Sequence, residues 1–371
     1  MRFLLILMPL ILLSQILEAK EEEHDWGLSL GKGTLNLTVG GRLQGIYDYR
    51  SSNGAVDLYL RRARVNLRYR LEKFHLIYLD LRNDNSNKGD GGERNFAIGD
   101  AFYEVPLNVG FIDNLTMFRS KVDVSYSQQA SSKDLMHPNR EGISDYAANF
   151  IVHNRRATNI QINGSNDWMT YQIALSDGVK SDSIDEAFGS VTVDGITDQS
   201  LTFGGKARFF LWNPTGKKAE IKETYYQAMR TFSIGFGFFN NRSVTYELSD
   251  GRKMTDSREL YNLEISFALD NLRILAEGFI FDGDVVNLEQ SMIGRSQGAY
   301  LRAEYIFGNT APFIGLQSFQ RDADNENSCE KTQMVGINYY AAQKSRRYGI
   351  SFRNYDFANG LSEGDREEIM T

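Results

Sequence analysis

Arginine or asparagine occupies every even position from Arg62 to Arg70, and Ala63, Val65, Leu67 and Tyr69 fill the places between. Successive side chains of a strand point to opposite faces, so this run sets Arg62, Arg64, Asn66, Arg68 and Arg70 on one side and an apolar row on the other. Two architectures accept that pattern. A soluble sandwich buries the apolar row and bathes the arginines. A membrane barrel turns the apolar row to lipid and lines a water-filled interior with guanidinium groups. The rest of the chain decides between them.

The chain opens with Met1-Arg2 and an apolar stretch from Phe3 to Leu17, interrupted only by Ser14 and Gln15, before Glu18-Ala19 and the charged Lys20 to Glu23. This is the layout of a secretory signal peptide over residues 1–19, and an anchor helix needs ~20 apolar residues. Export is therefore expected, yet the single cysteine, Cys329, cannot form an intramolecular disulfide. No later apolar run approaches a transmembrane helix, and the mean hydropathy is −0.40. Only helices and closed barrels span a bilayer, so a membrane role requires a barrel. With 23 Phe, 19 Tyr and 33 Gly but only 5 Pro, the composition suits strand ladders, which proline breaks. A net charge of −7 with no basic tail argues against a nucleic-acid partner.

Strands are expected at 35–49, 57–70, 73–83, 97–105, 115–125, 155–163, 168–176, 201–211, 230–239, 258–269, 272–281, 297–307, 312–320, 332–340 and 346–355. A sixteenth, cut short, begins near Glu367. Residues 20–34 form a short N-terminal segment, and no helical periodicity of useful length follows residue 20. The linkers sort by length. Leu71-Glu72, Gly164 to Asp167, Asp270-Asn271, Gly308 to Ala311 and Ala341 to Ser345 are tight; Asn83 to Phe96, Tyr126 to Asn154, Asp177 to Ser200, Asn240 to Ser257 and Asp282 to Ser296 are long and polar. Turns at one end and loops at the other are the wiring of an up-and-down barrel. The long connection Trp212 to Met229 breaks the rule. The expected fold is an all-β, transmembrane, up-and-down antiparallel β-barrel of about sixteen strands over 35–371, wide enough to leave a channel.

Parity supports it. Leu35, Leu37, Val39, Leu43 and Tyr47 share a face, as do Met169, Tyr171, Ile173 and Leu175; Tyr261, Leu263, Ile265, Phe267 and Leu269; and Ala299, Leu301, Ala303 and Tyr305. Tyr47, Tyr49, Tyr59, Tyr103, Phe279, Phe281, Tyr339 and Tyr355 fall near strand ends, where aromatic girdles or plain strand propensity account for them equally. Arg61 cannot share a face with Arg62, so a bulge or a strand end is expected there.

The inward basic residues are then Arg42, Arg62, Arg64, Arg68, Arg70, Arg82, Arg119, Lys121, Lys206, Arg208, Arg273, Arg302 and Arg353. The inward acids are Asp48, Asp80, Asp100, Glu104, Asp123, Glu264, Glu277 and Glu304. The bases crowd one wall and the acids another, and a dense basic track selects anions. Arginine suits phosphate because its planar fork donates two parallel hydrogen bonds and stays charged. Each arginine is equally accounted for by pairing with an acid such as Asp48, Asp80 or Asp100. The long loop 126–154 is expected to fold inward and narrow the channel, offering, with Ser125 before it, Ser127, Ser131, Ser132, Lys133, His137, Arg140 and Tyr146; the plain alternative is a solvated surface loop. Histidines at 24, 75, 137 and 153 lack ligand spacing, and Asp322 to Glu326 lacks the glycine of a calcium loop. No cofactor, metal or catalytic constellation is expected.

Gly41-Arg42-Leu43-Gln44, Leu60-Arg61-Arg62-Ala63-Arg64-Val65, Ile98 to Tyr103, Lys121 to Ser132 and Tyr171 to Gly178 together resemble the phosphate-selective porin O and P family of Gram-negative outer membranes. The order and spacing cover almost the whole mature chain. The resemblance implies a trimer of sixteen-stranded barrels in outer-membrane lipid, a constricting third loop, and ladders of Arg and Lys that pass phosphate or other small inorganic or organic anions. Arg42, Lys121, Ser125 and the even arginines of the second strand match the family's pathway by position. The expected activity is passive anion diffusion, with Arg119, Lys206 and Arg208 joining the pathway. The alternatives are a weakly selective porin and a plugged outer-membrane binding or adhesin barrel. An outer-membrane hydrolase lacks a nucleophile constellation.

Overall fold

The alternation becomes an antiparallel sheet in the computed structural model, which describes residues 28–30, 35–50, 55–71, 75–86, 95–122, 124–126, 135–137, 142–150, 156–177, 187–188, 191–212, 230–287, 292–325, 328–341, 346–357 and 366–370. Side chains of some strand residues, including Arg42 and Asp48, lie outside that description, as do Asp123 and the expected leader. The first eight strands are β1 (Leu28–Leu30), β2 (Leu35–Arg50), β3 (Ala55–Leu71), β4 (His75–Ser86), β5 (Ala97–Val109), β6 (Ile112–Lys121), β7 (Arg156–Ser165) and β8 (Met169–Ser176). A helix, α1 (Gly142–Phe150), lies between β6 and β7. Then follow β9 (Ala187–Phe188), β10 (Val191–Gln199), β11 (Thr202–Trp212), β12 (Thr231–Leu248), β13 (Lys253–Leu269) and β14 (Leu272–Asn287). The last are β15 (Met292–Tyr305), β16 (Thr310–Gln320), β17 (Cys329–Ala341), β18 (Arg346–Phe357) and β19 (Arg366–Met370).

Pairing runs in sequence order from β2 to β8, passes from β8 to β11, and continues in order to β19. β19 also pairs with β2, so the succession of sixteen strands returns to its start. That last contact is short: Glu367 to Met370 meet Arg50 to Tyr47, while β1 takes a separate stretch of the same edge, Leu37 to Val39. β1, β9 and β10 are not among the expected strands. β10 lies within the expected loop Asp177 to Ser200 and pairs with the far end of β12.

The linkers sort mostly as expected, with corrections. Asn240 to Ser257 is not a loop: β12 and β13 continue through it to a turn at Leu248 to Arg252, where Gly251 adopts φ +82°. Val244, Tyr246, Leu248 and Met254 are buried there, so the alternation carries on past the bilayer-height strand. β14 and β15 likewise consume most of Asp282 to Ser296. Residues 213–229 of the anomalous connection lie outside the described residues. Of the bulge or strand end expected at Arg61, the structure has the bulge, for Gln44 pairs with Arg62 and Gly45 with Leu60.

The faces divide as the parity predicts. Val65, Ile77, Ile173, Leu175, Tyr261, Leu263, Ile265, Leu301, Val335 and Ile337 are exposed on the outer surface, an apolar belt that water would penalise and lipid accepts. Their sequence neighbours, such as Asn262, Glu264, Ser266, Arg302 and Glu304, are buried on the inner face. The aromatic expectation needs correcting: Tyr59, Phe279 and Phe281 are buried, not set at a rim, whereas Tyr339 is exposed. Tyr47 and Tyr103 are half-buried, and the side chains of Tyr49 and Tyr355 are outside the description.

Candidate functional site

The described stretches of the long connection after β6, residues 124–126, 135–137 and 142–150, lie inside the barrel. Val124, Tyr126, Leu135, Ile143, Ala147 and Phe150 form one apolar cluster with Phe239, Leu260, Phe279, Phe281 and Phe319 of the strands. α1 is the part that the strand reading overlooks. Its buried residues Ile143, Ala147 and Phe150 stand at i, i+4 and i+7, a helical stripe only nine residues long. The barrel wall caps it, for Ile143 N donates to Gln317 Oε1 at 3.0 Å, satisfying a first-turn amide that has no partner within a helix. Tyr146 packs on Phe281 and Phe319 with ring centroids 5.1 and 5.2 Å apart, and the Arg258 guanidinium lies 4.1 Å from the Phe150 ring centre.

Two glycines let the loop approach. A Cβ on Gly237 would lie 1.8 Å from the Val124 carbonyl oxygen, and one on Gly298 would lie 2.6 Å from Ile143 Cδ1. The acids of this wall hold the loop. Glu277 accepts the Tyr126 amide at 2.6 Å and the Tyr300 hydroxyl. Glu304 accepts Asn338 Nδ2 and the Tyr340 hydroxyl, while that same Asn338 nitrogen donates to the Met136 carbonyl. Further along, Arg353 donates to His137 Nδ1 at 3.1 Å, which requires that nitrogen to be unprotonated; Nε2–H then donates to Ser351 Oγ at 3.1 Å.

Lys206 and Arg208, expected in the anion pathway, belong to this wall. They are 8 % and 6 % exposed and grip the Glu264 carboxylate at 2.8 and 2.5 Å, with Arg208 4.9 Å from the Tyr126 ring centre. Ser125 is buried within the folded loop. Arg119 Nε donates to the Gly99 carbonyl, and Arg119 pairs with exposed Thr158; it is Ser120 that joins the buried network of Asn159 and Gln161. Lys121 is half-buried, on the same strand parity as Arg119.

The opposite wall, β2 to β5, carries the arginine run. In register, Arg42, Arg64 and Arg82 make one row across β2, β3 and β4. Arg62 and Arg82 are buried, Arg64 is half-buried, and Arg68 and Arg70 are exposed. Asp80 lies beside this row, and Asp100 is held by Arg156 at 2.7 Å. The lumen thus has one wall covered by a loop that its acids anchor, and one wall that presents cations.

No family model matches the chain, and no curated protein matches it. Solved structures do. The outer membrane channel DcaP of Acinetobacter baumannii aligns over 93 % of this chain and 98 % of its own, at 11 % identity with a TM-score of 0.60. The Salmonella typhi OmpF complex with daunomycin gives 12 % identity over 92 % and 98 %, also at 0.60. Pseudomonas putida OprB gives 10 % identity over 90 % and 92 %, at 0.56.

The fold is that of an outer-membrane porin.

On the porin scaffold, eight of the ten residues expected in the pathway fall into two groups. Arg42, Arg62, Arg64, Arg68 and Arg70 gather on one wall, while Lys206, Arg208 and Ser125 gather around the inward loop. The other two correct the expectation: Arg119 lies in register with Leu79, Ala101 and exposed Thr158, the outward row, because Ser120 takes the inward face, and Lys121 shares its parity. Sequence reasoning missed Gly237, Gly298, Gln317 and Arg258; alternation reports which face a residue takes and not what lies across from it.

Proposed function

We propose that this chain is an outer-membrane diffusion channel that favours small anions, phosphate among them. One observation supports the reading above others: Glu264, Glu277 and Glu304 are buried in the wall that holds the loop, whereas Arg68 and Arg70 stand exposed on the opposite wall, with Glu104 in the same row as Arg70. A covered carboxylate contributes little field to the passage, and an exposed guanidinium contributes its full charge. The signal peptide delivers the chain past the inner membrane, and the apolar belt sets it in lipid. Assembly as a homotrimer belongs to the same reading; OmpT of Vibrio cholerae has been solved in a trimer form.

Reversal potential across a planar bilayer in a potassium chloride gradient tests it. An anion-preferring value is expected, and replacing Arg64, Arg68 and Arg70 together with alanine should move it toward cations. A wild-type value near zero identifies a general diffusion pore. Absence of any conductance identifies a plugged barrel.

A further inference from the structure

Next to the exposed arginines the inner wall is aromatic. Arg68 of β3, Tyr78 of β4 and Phe102 of β5 are register partners in one transverse row. The Arg68 guanidinium lies 5.4 Å from the Tyr78 ring centre, and the Tyr78 and Phe102 rings stack at 5.0 Å with a 27° interplanar angle. The next row toward the short turn is Arg70, Leu76 and Glu104. Tyr78 and Phe102 are half-buried. The aromatic contacts of the described residues of the inward loop are with Phe281, Phe313 and Phe319 across the barrel.

A ring standing on a sheet and stacked on its neighbours turns its edge to the lumen, and that edge carries the positive end of the ring quadrupole. It attracts the face of another π-system. A small anion that keeps its hydration shell stands further off and gains less from it than a flat ring does. The guanidinium beside the rings takes the carboxylate end through paired N–H donors. Resting on the anion-channel reading above, we infer that the Arg68–Tyr78–Phe102 row is a binding station for flat organic anions, aromatic carboxylates in particular, and that these are held more strongly than inorganic phosphate. Glu104 beside Arg70 sharpens the choice, since it repels a second negative charge and so disfavours multiply charged phosphates relative to a monoanion.

The test is block of the chloride current of the full-length channel by benzoate, acetate and inorganic phosphate, each added to the same single-channel recording. Benzoate should half-block at a concentration several-fold lower than acetate or phosphate. The double variant Y78L/F102L, which keeps apolar bulk, should weaken benzoate block roughly fivefold or more, the loss of two aromatic contacts, and leave phosphate unchanged. Benzoate no better than acetate, or a variant that blocks like wild type, overturns the proposal. The wild-type ranking stands even where the variant does not fold. Titrating benzoate into the detergent-solubilised protein reads the station without any current. Benzoate binding with a zero or cationic reversal potential would sink the anion-channel reading alone; anion preference without benzoate binding would sink the station alone.

Discussion

Glu264 holds two cations with one carboxylate, and all three side chains are withdrawn from water. Breaking a buried ionic group by removing one partner leaves uncompensated charge and costs about 3–5 kcal/mol. Glu264→Gln should therefore lower the temperature at which the folded barrel converts to the unfolded form in a gel-shift assay. Arg68→Ala, on an exposed side chain, should leave that temperature nearly unchanged while altering selectivity. The contrast shows what a pattern of residues reveals. The face taken by Lys206, Arg208 and Glu264 is legible from alternation, because strand geometry fixes it. Their role is not, because nothing in β11 or β13 announces the loop that covers them. Arg61 is the opposite case: two adjacent arginines cannot both face water in a regular strand, which calls for a bulge or a strand end, and the register shows the bulge.

Among the elements, the inward loop depends on close approach to the wall. Gly237→Val places methyl groups where the Val124 carbonyl lies, so the loop must withdraw; an increase in single-channel conductance is expected, with the barrel intact by gel shift. Phe150→Ala empties the aromatic nest under Arg258 at a cost of about 3–5 kcal/mol, more than a nine-residue helix gains from its own hydrogen bonds, so the same rise should follow. Conductance equal to wild type in both variants would show that the loop does not narrow the passage. The helix is faint in the sequence because one short stripe, Ile143 to Phe150, sits inside a long polar linker. From β2 to β8 and from β11 to β18 the strands are plain because each repeats its alternation over eight or more residues. Boundaries slipped where strands rise beyond the apolar belt, as at Val244 to Leu248 and Met254.

At the scale of the molecule, the apolar belt carries the architecture. Val335 is 54 % exposed at the middle of β17, flanked in register by Ile314 and Phe352. Val335→Arg should destabilise the barrel by about 2–4 kcal/mol in lipid vesicles, measured by denaturant titration, and by much less in a short-chain detergent that lets water reach the side chain. The sixteen-fold succession was readable from strand count and linker length. The shared edge of β2, with β19 at one end and β1 at the other, was not, because a three-residue strand carries no periodic signature. The division of the interior into a wall that anchors the loop and a wall that carries the arginine run has an evolutionary corollary under the proposed function. Solute preference can then drift through changes in β2 to β5 while the loop stays fastened, so relatives sharing this skeleton are free to admit quite different cargo.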